Sequence, residues 1–262
     1  MRVSRWVLVV VMVLASGVLV AGCGEDEPPT PIEVFRAYQA DLQAVRQRLR
    51  QVPSVLPDGR AGTPSCDASV PPDPPFAYRT DALAESNAEV MMERSLADPD
   101  IRMHYEEGFE FGPTHLLTAL RWTGPRGPLG DNSLEYPQAD RPISVDETLH
   151  RLRTRLNYGR ATRYVVVLRQ VEYVPPEIEV KLVAGASWRT FIGRIVLDAF
   201  VVDLRELRLL CRFSVDAEAN PMMVVYRVSP RLGIYEDLQV DTRSAIAAQL
   251  ASLTGGTADA PP

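Results

Sequence analysis

Apolar residues along this chain repeat with two different periods, and the change from one to the other separates a helical first half from a strand-rich second half. Phe35, Tyr38, Leu42, Val45, Leu49 and Val52 recur every three or four residues, the spacing of one helix face. Thr30, Pro31 and Glu33 stand before that stripe as N-cap, first helical residue and capping-box partner, which places the helix start. Arg46, Arg48 and Arg50 are assigned to the opposite, solvated face. The spacing also fits a coiled coil, but the run is shorter than three or four heptads, so packing on the chain's own domain is preferred. Further helices are predicted from Thr80 to Leu96 and from Thr114 to Trp122. Another begins at residue 144, where Ser144 and Glu147 form a capping box, Val145, Leu149, Leu152 and Leu156 the buried stripe, and Gly159 the stop.

From residue 164 the period shortens to that of strands. YVVVLRQV at 164–171 is β-branched and apolar on both sides, which predicts a central strand. EIEVKLV at 177–183 alternates, with Ile178, Val180 and Leu182 on one side. RIVLDAFVVDL and LRLLCRFSV flank Arg205 and Glu206 and read as an antiparallel hairpin, with Leu207, Leu209, Cys211, Phe213 and Val215 sharing a face. MMVVYRV at 222–228 is a fifth strand candidate, and Asp241 a cap for a helix with Ile246, Leu250 and Leu253 inward. Helices first, then about five consecutive strands and a last helix, predict an α+β fold. Its antiparallel sheet lies in the C-terminal half with helices on one face, after a helical, loop-rich N-terminal half. Residues 53–77 hold seven prolines, including PPDPP at 71–75, and form a loop.

Ahead of all this stands MRVSRWVLVVVMVLASGVLVAGCGEDEPP. Arg2 and Arg5 precede an uncharged apolar run from Trp6 to Val20, the order of a secretory signal and too short to span a bilayer comfortably. Leu19, Val20, Ala21, Gly22 and Cys23 close the run, and this stretch resembles the lipobox of bacterial lipoprotein precursors. The resemblance implies a diacylglyceryl group on the Cys23 thiol, cleavage between Gly22 and Cys23, and acylation of the new amino terminus with palmitate-type chains. Several acyl chains hold a protein stably where one gives only reversible binding. It implies residence in a bacterial cell envelope, lipid-anchored and facing the periplasm or exterior. Gly24 after the cysteine, in place of an aspartate, leans this toward the outer membrane. The organisation expected is then a signal peptide at 1–22, an acidic proline-bearing tether at 23–31, one α+β domain at 32–254 and a disordered tail at 255–262.

Removing the leader takes two arginines away and leaves 26 basic against 34 acidic side chains, a net charge of about −8. So acidic a chain argues against nucleic acid as a partner, because such binding displaces phosphate counterions with basic surface. Lys181 is the single lysine beside 27 arginines, an imbalance that reads as compositional. With Cys23 assigned to lipid, Cys66 and Cys211 remain, an even number in an exported protein. They fit a disulfide stapling the proline-rich loop to the sheet, and equally a buried small hydrophobe at Cys211.

No signature of a P-loop, dinucleotide fold, zinc protease or serine hydrolase is present in the sequence, and no cofactor or catalytic residue is assigned. Asp98, Asp100, His104, Glu106, Glu107, Glu110 and His115 offer cation ligands without a recognised spacing; a solvated acidic loop beside Arg94 and Arg102 is the preferred reading, and no metal is assigned. Arg151, Arg153, Arg155, Arg160 and Arg163 could recognise anions, or simply form the wet back of their helix. Trp122, Trp188, Tyr164, Tyr173, Tyr226 and Tyr235 read as core before they read as a ligand groove, and His150 as an exposed residue. The function expected is a lipid-anchored, non-catalytic binding or assembly factor whose partner is an envelope protein or cell-wall polymer. A periplasm-facing or surface hydrolase with scattered residues is the alternative.

Overall fold

The computed structural model describes residues 29, 31–67, 72–80, 82–97, 116, 119–120, 145–183, 186–219 and 230–261. In chain order these form helix α1 (Pro31–Gln51), strands β1 (Ser65–Cys66), β2 (Ala77–Tyr78) and β3 (Ala88–Met92), and the single-turn helix α2 (Arg94–Ala97). Helix α3 (Val145–Ala161), strands β4 (Tyr164–Val183), β5 (Ala186–Asp203) and β6 (Arg208–Glu218), helix α4 (Pro230–Thr254) and strand β7 (Thr257–Ala258) follow. The main sheet has the order β1-β6-β5-β4-β3, antiparallel except for the parallel pair β3–β4, and the fold is α+β as expected.

Helices cover both faces of this sheet, whereas the sequence reading expected one. Val165, Val167, Phe200 and Val202 point toward α1, α3 and the helical residues Leu116, Ala119 and Leu120. Tyr164, Val166, Leu168, Leu197, Val201 and Phe213 point the other way, toward α4 and the Phe76–Tyr78 segment. This explains why YVVVLRQV lacks alternation: a strand buried on both sides has no polar side to show. Each large apolar side chain sealed this way contributes roughly 1.5–3 kcal/mol relative to exposure.

Several predicted elements are corrected. Residues 80–96 are not one helix. Ser86 and Asn87 hydrogen-bond the backbone at residues 75–79 instead, and Ala88–Met92 pairs with Tyr164–Leu168. Burial of all five β3 residues overrides the helical spacing there. The runs 164–171 and 177–183 are a single strand, with a register shift where Pro175 and Pro176 cannot donate to the ladder. On β6, Cys211 pairs with Val201 and Leu209 with Val202, so Leu210 is an extra residue and the ladder bulges. Leu209 therefore packs on the α1–α3 side while Cys211, Phe213 and Val215 face α4, and Leu207 lies in the turn at φ 49°.

Arg46, assigned to the solvated face of α1, is buried. Helix α4 starts at Pro230, so Asp241 lies inside it rather than capping it. Gly159 does not stop α3, which runs on to Ala161. A β-carbon at residue 159 would sit 2.7 Å from Leu42 Cδ2 and 3.2 Å from Ala119 Cβ, so the glycine serves close helix approach. The strand expected at 222–228 lies outside the described residues. The tail is ordered through Pro261: β7 pairs in parallel with β2, Thr257 N–H donates to Phe76 O, and Asp259 N–H to Tyr78 O.

That tail docks through Gly256, where a β-carbon would overlap the Phe76 carbonyl oxygen. Backbone cannot move aside as a side-chain tip does. Gly256→Ala is expected to cost about 1–3 kcal/mol by overpacking, seen as a lower urea midpoint together with faster proteolysis after Thr254. An unchanged midpoint with a protected tail would show that the approach is not tight.

Candidate functional site

The structure brings together polar groups that the sequence spread across distant segments. The first is Glu89 on β3, 2% exposed within the apolar run Ala88–Met92. Leu116 N–H donates to its Oε2 at 2.9 Å, Val90 N–H to its Oε1 at 3.2 Å, and the Tyr158 hydroxyl from α3 lies 3.0 Å from Oε2. That hydroxyl also lies 2.7 Å from Ala88 O. A phenol has one proton, so it serves both acceptors only if the carboxyl carries a proton of its own. Burial raises the Glu89 pKa to about 7, although the three hydrogen bonds pull the other way, and burial next to Glu89 also raises that of Tyr158. The pair has the composition of a general acid, but α3 and Leu116 seal it, so it acts as a latch joining β3 to both helical segments.

The second centre is Asp198 in the middle of β5, fully buried. Ser214 Oγ donates to Oδ1 at 2.6 Å; Ala61 N–H and Arg60 Nε donate to Oδ2, each at 2.9 Å. Burial pushes this carboxyl upward, yet the hydrogen bonds from Ser214, Ala61 and Arg60 outweigh it and hold the pKa below the usual value. Arg169 lies across the ladder from Asp198. It makes a two-pronged contact with Glu93, donates to Pro57 O and Gly59 O, and lies 5.0 Å over the Phe200 ring. These contacts fasten the proline-rich segment to the sheet.

Asp203 closes the β5–β6 turn: Arg205 N–H and Glu206 N–H donate to one oxygen, and Arg163 donates to the other. Arg163 is therefore an ion-pair partner of Asp203 and not part of the solvated back of a helix. Of the others read that way, Arg151, Arg153 and Arg160 are exposed on α3, Arg155 is half-buried, and His150 is exposed. Tyr164 is core, its hydroxyl donating to Pro74 O at 2.7 Å, and Tyr173 packs at the edge of the α4-side cluster.

Cys66 and Cys211 are joined by a disulfide between β1 and β6. They are register partners at a position without mutual backbone hydrogen bonds, since Asp67 N–H donates to Leu210 O one residue on. Such positions bring Cα atoms closest, here 4.0 Å. Beyond the last β6 pair, Arg194–Glu218, the strands β4 and β5 continue as a two-stranded arm whose ladder runs to Val183–Ala186. No third strand pairs with the arm among the described residues. At its base Arg194 contacts Asp216, Glu172 and Glu218, tying three strands together, and Val174 and Ile192 are exposed.

Gly22, Cys23, the acidic stretch 98–115, Trp122 and Tyr226 lie outside the described residues. Among the described residues no group of three or more His, Cys, Asp or Glu is placed to hold a metal ion, and no helix is long and apolar enough to cross a membrane. The sequence reading missed Glu89, Asp198 and Asp203, although one carboxylate inside AEVMM and two inside VLDAFVVD are a visible signal. The chain matches no family model, no curated protein and no solved structure with which it was compared.

Proposed function

We propose that this chain is a lipid-anchored bacterial cell-envelope protein that works by binding or assembling a partner rather than by catalysis. The observation that carries the placement is the apolar leader ending in Leu19–Cys23. The disulfide between the two cysteines outside that leader supports it, because such bonds persist in oxidising compartments and are rare in the cytosol. Binding is preferred to hydrolysis because Glu89, Asp198 and Asp203, the buried carboxyls among the described residues, are committed to structural donors inside the fold. Among the described residues the β4–β5 arm has edges that pair with no third strand, and a partner can add one there.

Intact mass measurement of the protein from its native membrane, followed by crosslinking and isolation of attached proteins, tests both parts. The expected result is a mature chain starting at an acylated Cys23 and one stoichiometric partner crosslinked through residues of the arm. A bare thiol at Cys23, or a leader still attached, overturns the placement. Substrate turnover without any partner overturns the binding role.

A further inference from the structure

We propose that the outer surface of α1 and α3 lies against the anionic headgroups of the bilayer that holds the Cys23 acyl chains; this rests on the anchoring proposed above. The two helices pack side by side on the same face of the sheet. Tyr38 of α1 donates to Asn157 of α3 at 2.9 Å, Arg160 of α3 lies 5.0 Å over the Tyr38 ring, and Gly159 packs against Leu42. Their packing gathers into one layer the exposed arginines of segments more than a hundred residues apart: Arg36, Arg48 and Arg50 with Arg151, Arg153 and Arg160. Of the eight arginines within these helices Arg46 is buried and Arg155 half-buried, so six exposed arginines stand against the helices' four acids, in a chain whose formal net charge is −6. This layer therefore runs against the overall sign of the chain.

The anchor decides what that layer meets. Seven residues separate Cys23 from Pro31, where α1 begins. At full extension the eight steps between them span about 28 Å. The α1–α3 layer is thus held close to the bilayer by a covalent leash, where each arginine that comes within about one Debye length, 8 Å, strengthens contact with anionic lipid roughly fivefold. Exposed arginines toward both ends of α1, Arg36 at one and Arg48 with Arg50 at the other, favour a helix pair lying along the surface over one standing on its end.

The test uses the full acylated protein reconstituted into vesicles carrying a headgroup-attached quencher. One fluorophore is placed at Ala40→Cys, exposed on α1, and in a second sample at Ala248→Cys, exposed on α4 across the sheet. In vesicles with about one-third phosphatidylglycerol, quenching at residue 40 is expected to exceed that at residue 248 about threefold or more. The excess should vanish in pure phosphatidylcholine and in about 0.5 M salt. The fourfold variant Arg36→Gln, Arg48→Gln, Arg50→Gln, Arg153→Gln, all at exposed positions, should abolish it with an unchanged melting curve. Equal quenching at both positions, or an excess indifferent to lipid charge and salt, overturns the membrane-facing surface while leaving the anchor intact. A chain found without acyl groups overturns the anchoring, and this surface with it.

Discussion

Reduction of the Cys66–Cys211 bond is expected to remove about 3–5 kcal/mol of stability, the largest single effect anticipated for this protein. The bond closes a segment with a sequence separation of 145, for which the chain-entropy model gives roughly 5 kcal/mol at 25 °C as an upper figure. Against a typical domain stability of about 5–15 kcal/mol that is a large share. The native side supports the same direction. Strand β1 is two residues long and cannot hold its place by its own ladder. Without the bridge, the backbone from Gly62 to Asp67 keeps the two-residue β1–β6 pairing and the contact of Arg212 Nε with Ser65 Oγ, while Ala61 and Arg60 keep their bonds to Asp198. Urea unfolding of the parent with and without reductant, and of the Cys66→Ser, Cys211→Ser double variant, measures the loss. Coincident midpoints for all three would show that the bridge stabilises nothing.

A second large effect follows from Glu89. Its pKa is raised to about 7 in the folded protein, from an ordinary value of 4.5, so the folded state binds the proton more tightly than the unfolded one. Stability is then fully present below about pH 4.5, declines as pH rises through 7, and levels off above it. For this fully buried carboxyl the decline is about 3 kcal/mol. Glu89→Gln keeps the shape and stays neutral at every pH, but its amide nitrogen, placed toward Tyr158, meets the Leu116 N–H that Oε2 accepts in the parent. The variant should therefore lose most of that slope, its curve being lowered at every pH by the lost Leu116 hydrogen bond. Asp198 does not blur the comparison, because its lowered pKa affects stability only below the ordinary carboxylate range, in the opposite sense. Measured as urea midpoints of parent and variant from pH 4 to 8, the difference between the two curves isolates Glu89. Parallel curves would contradict both its burial and its shared proton.

The elements legible in the sequence are those whose signal repeats many times within a short window. The α1 stripe, the run that became the first half of β4, and the β5–β6 hairpin around Arg205 and Glu206 all have that redundancy. Strands β1, β2 and β7 are two residues each and have none. They exist because a distant segment supplies a hydrogen-bonding edge: β6 for β1, and β2 for β7. Residues 88–92 carry apolar spacing compatible with a helix, and it was the open edge of β4, seventy-odd positions away, that drew them into a sheet. The candidate site follows the same division. Two cysteines outside the leader-like stretch suggest a bond, but a buried apolar cysteine fits the same letters until β1 is seen beside β6.

What the chain determined by itself is the period of each long segment and its α+β class, because these are set by neighbours within one or two turns or a few strand residues. Tertiary structure alone decided that both faces of the sheet are covered, that Glu89 and Asp198 are enclosed, and that α1 and α3 pack side by side. Those outcomes depend on which remote backbone and side chains arrive to exclude water, and burial, unlike periodicity, is a property no short stretch of sequence possesses alone.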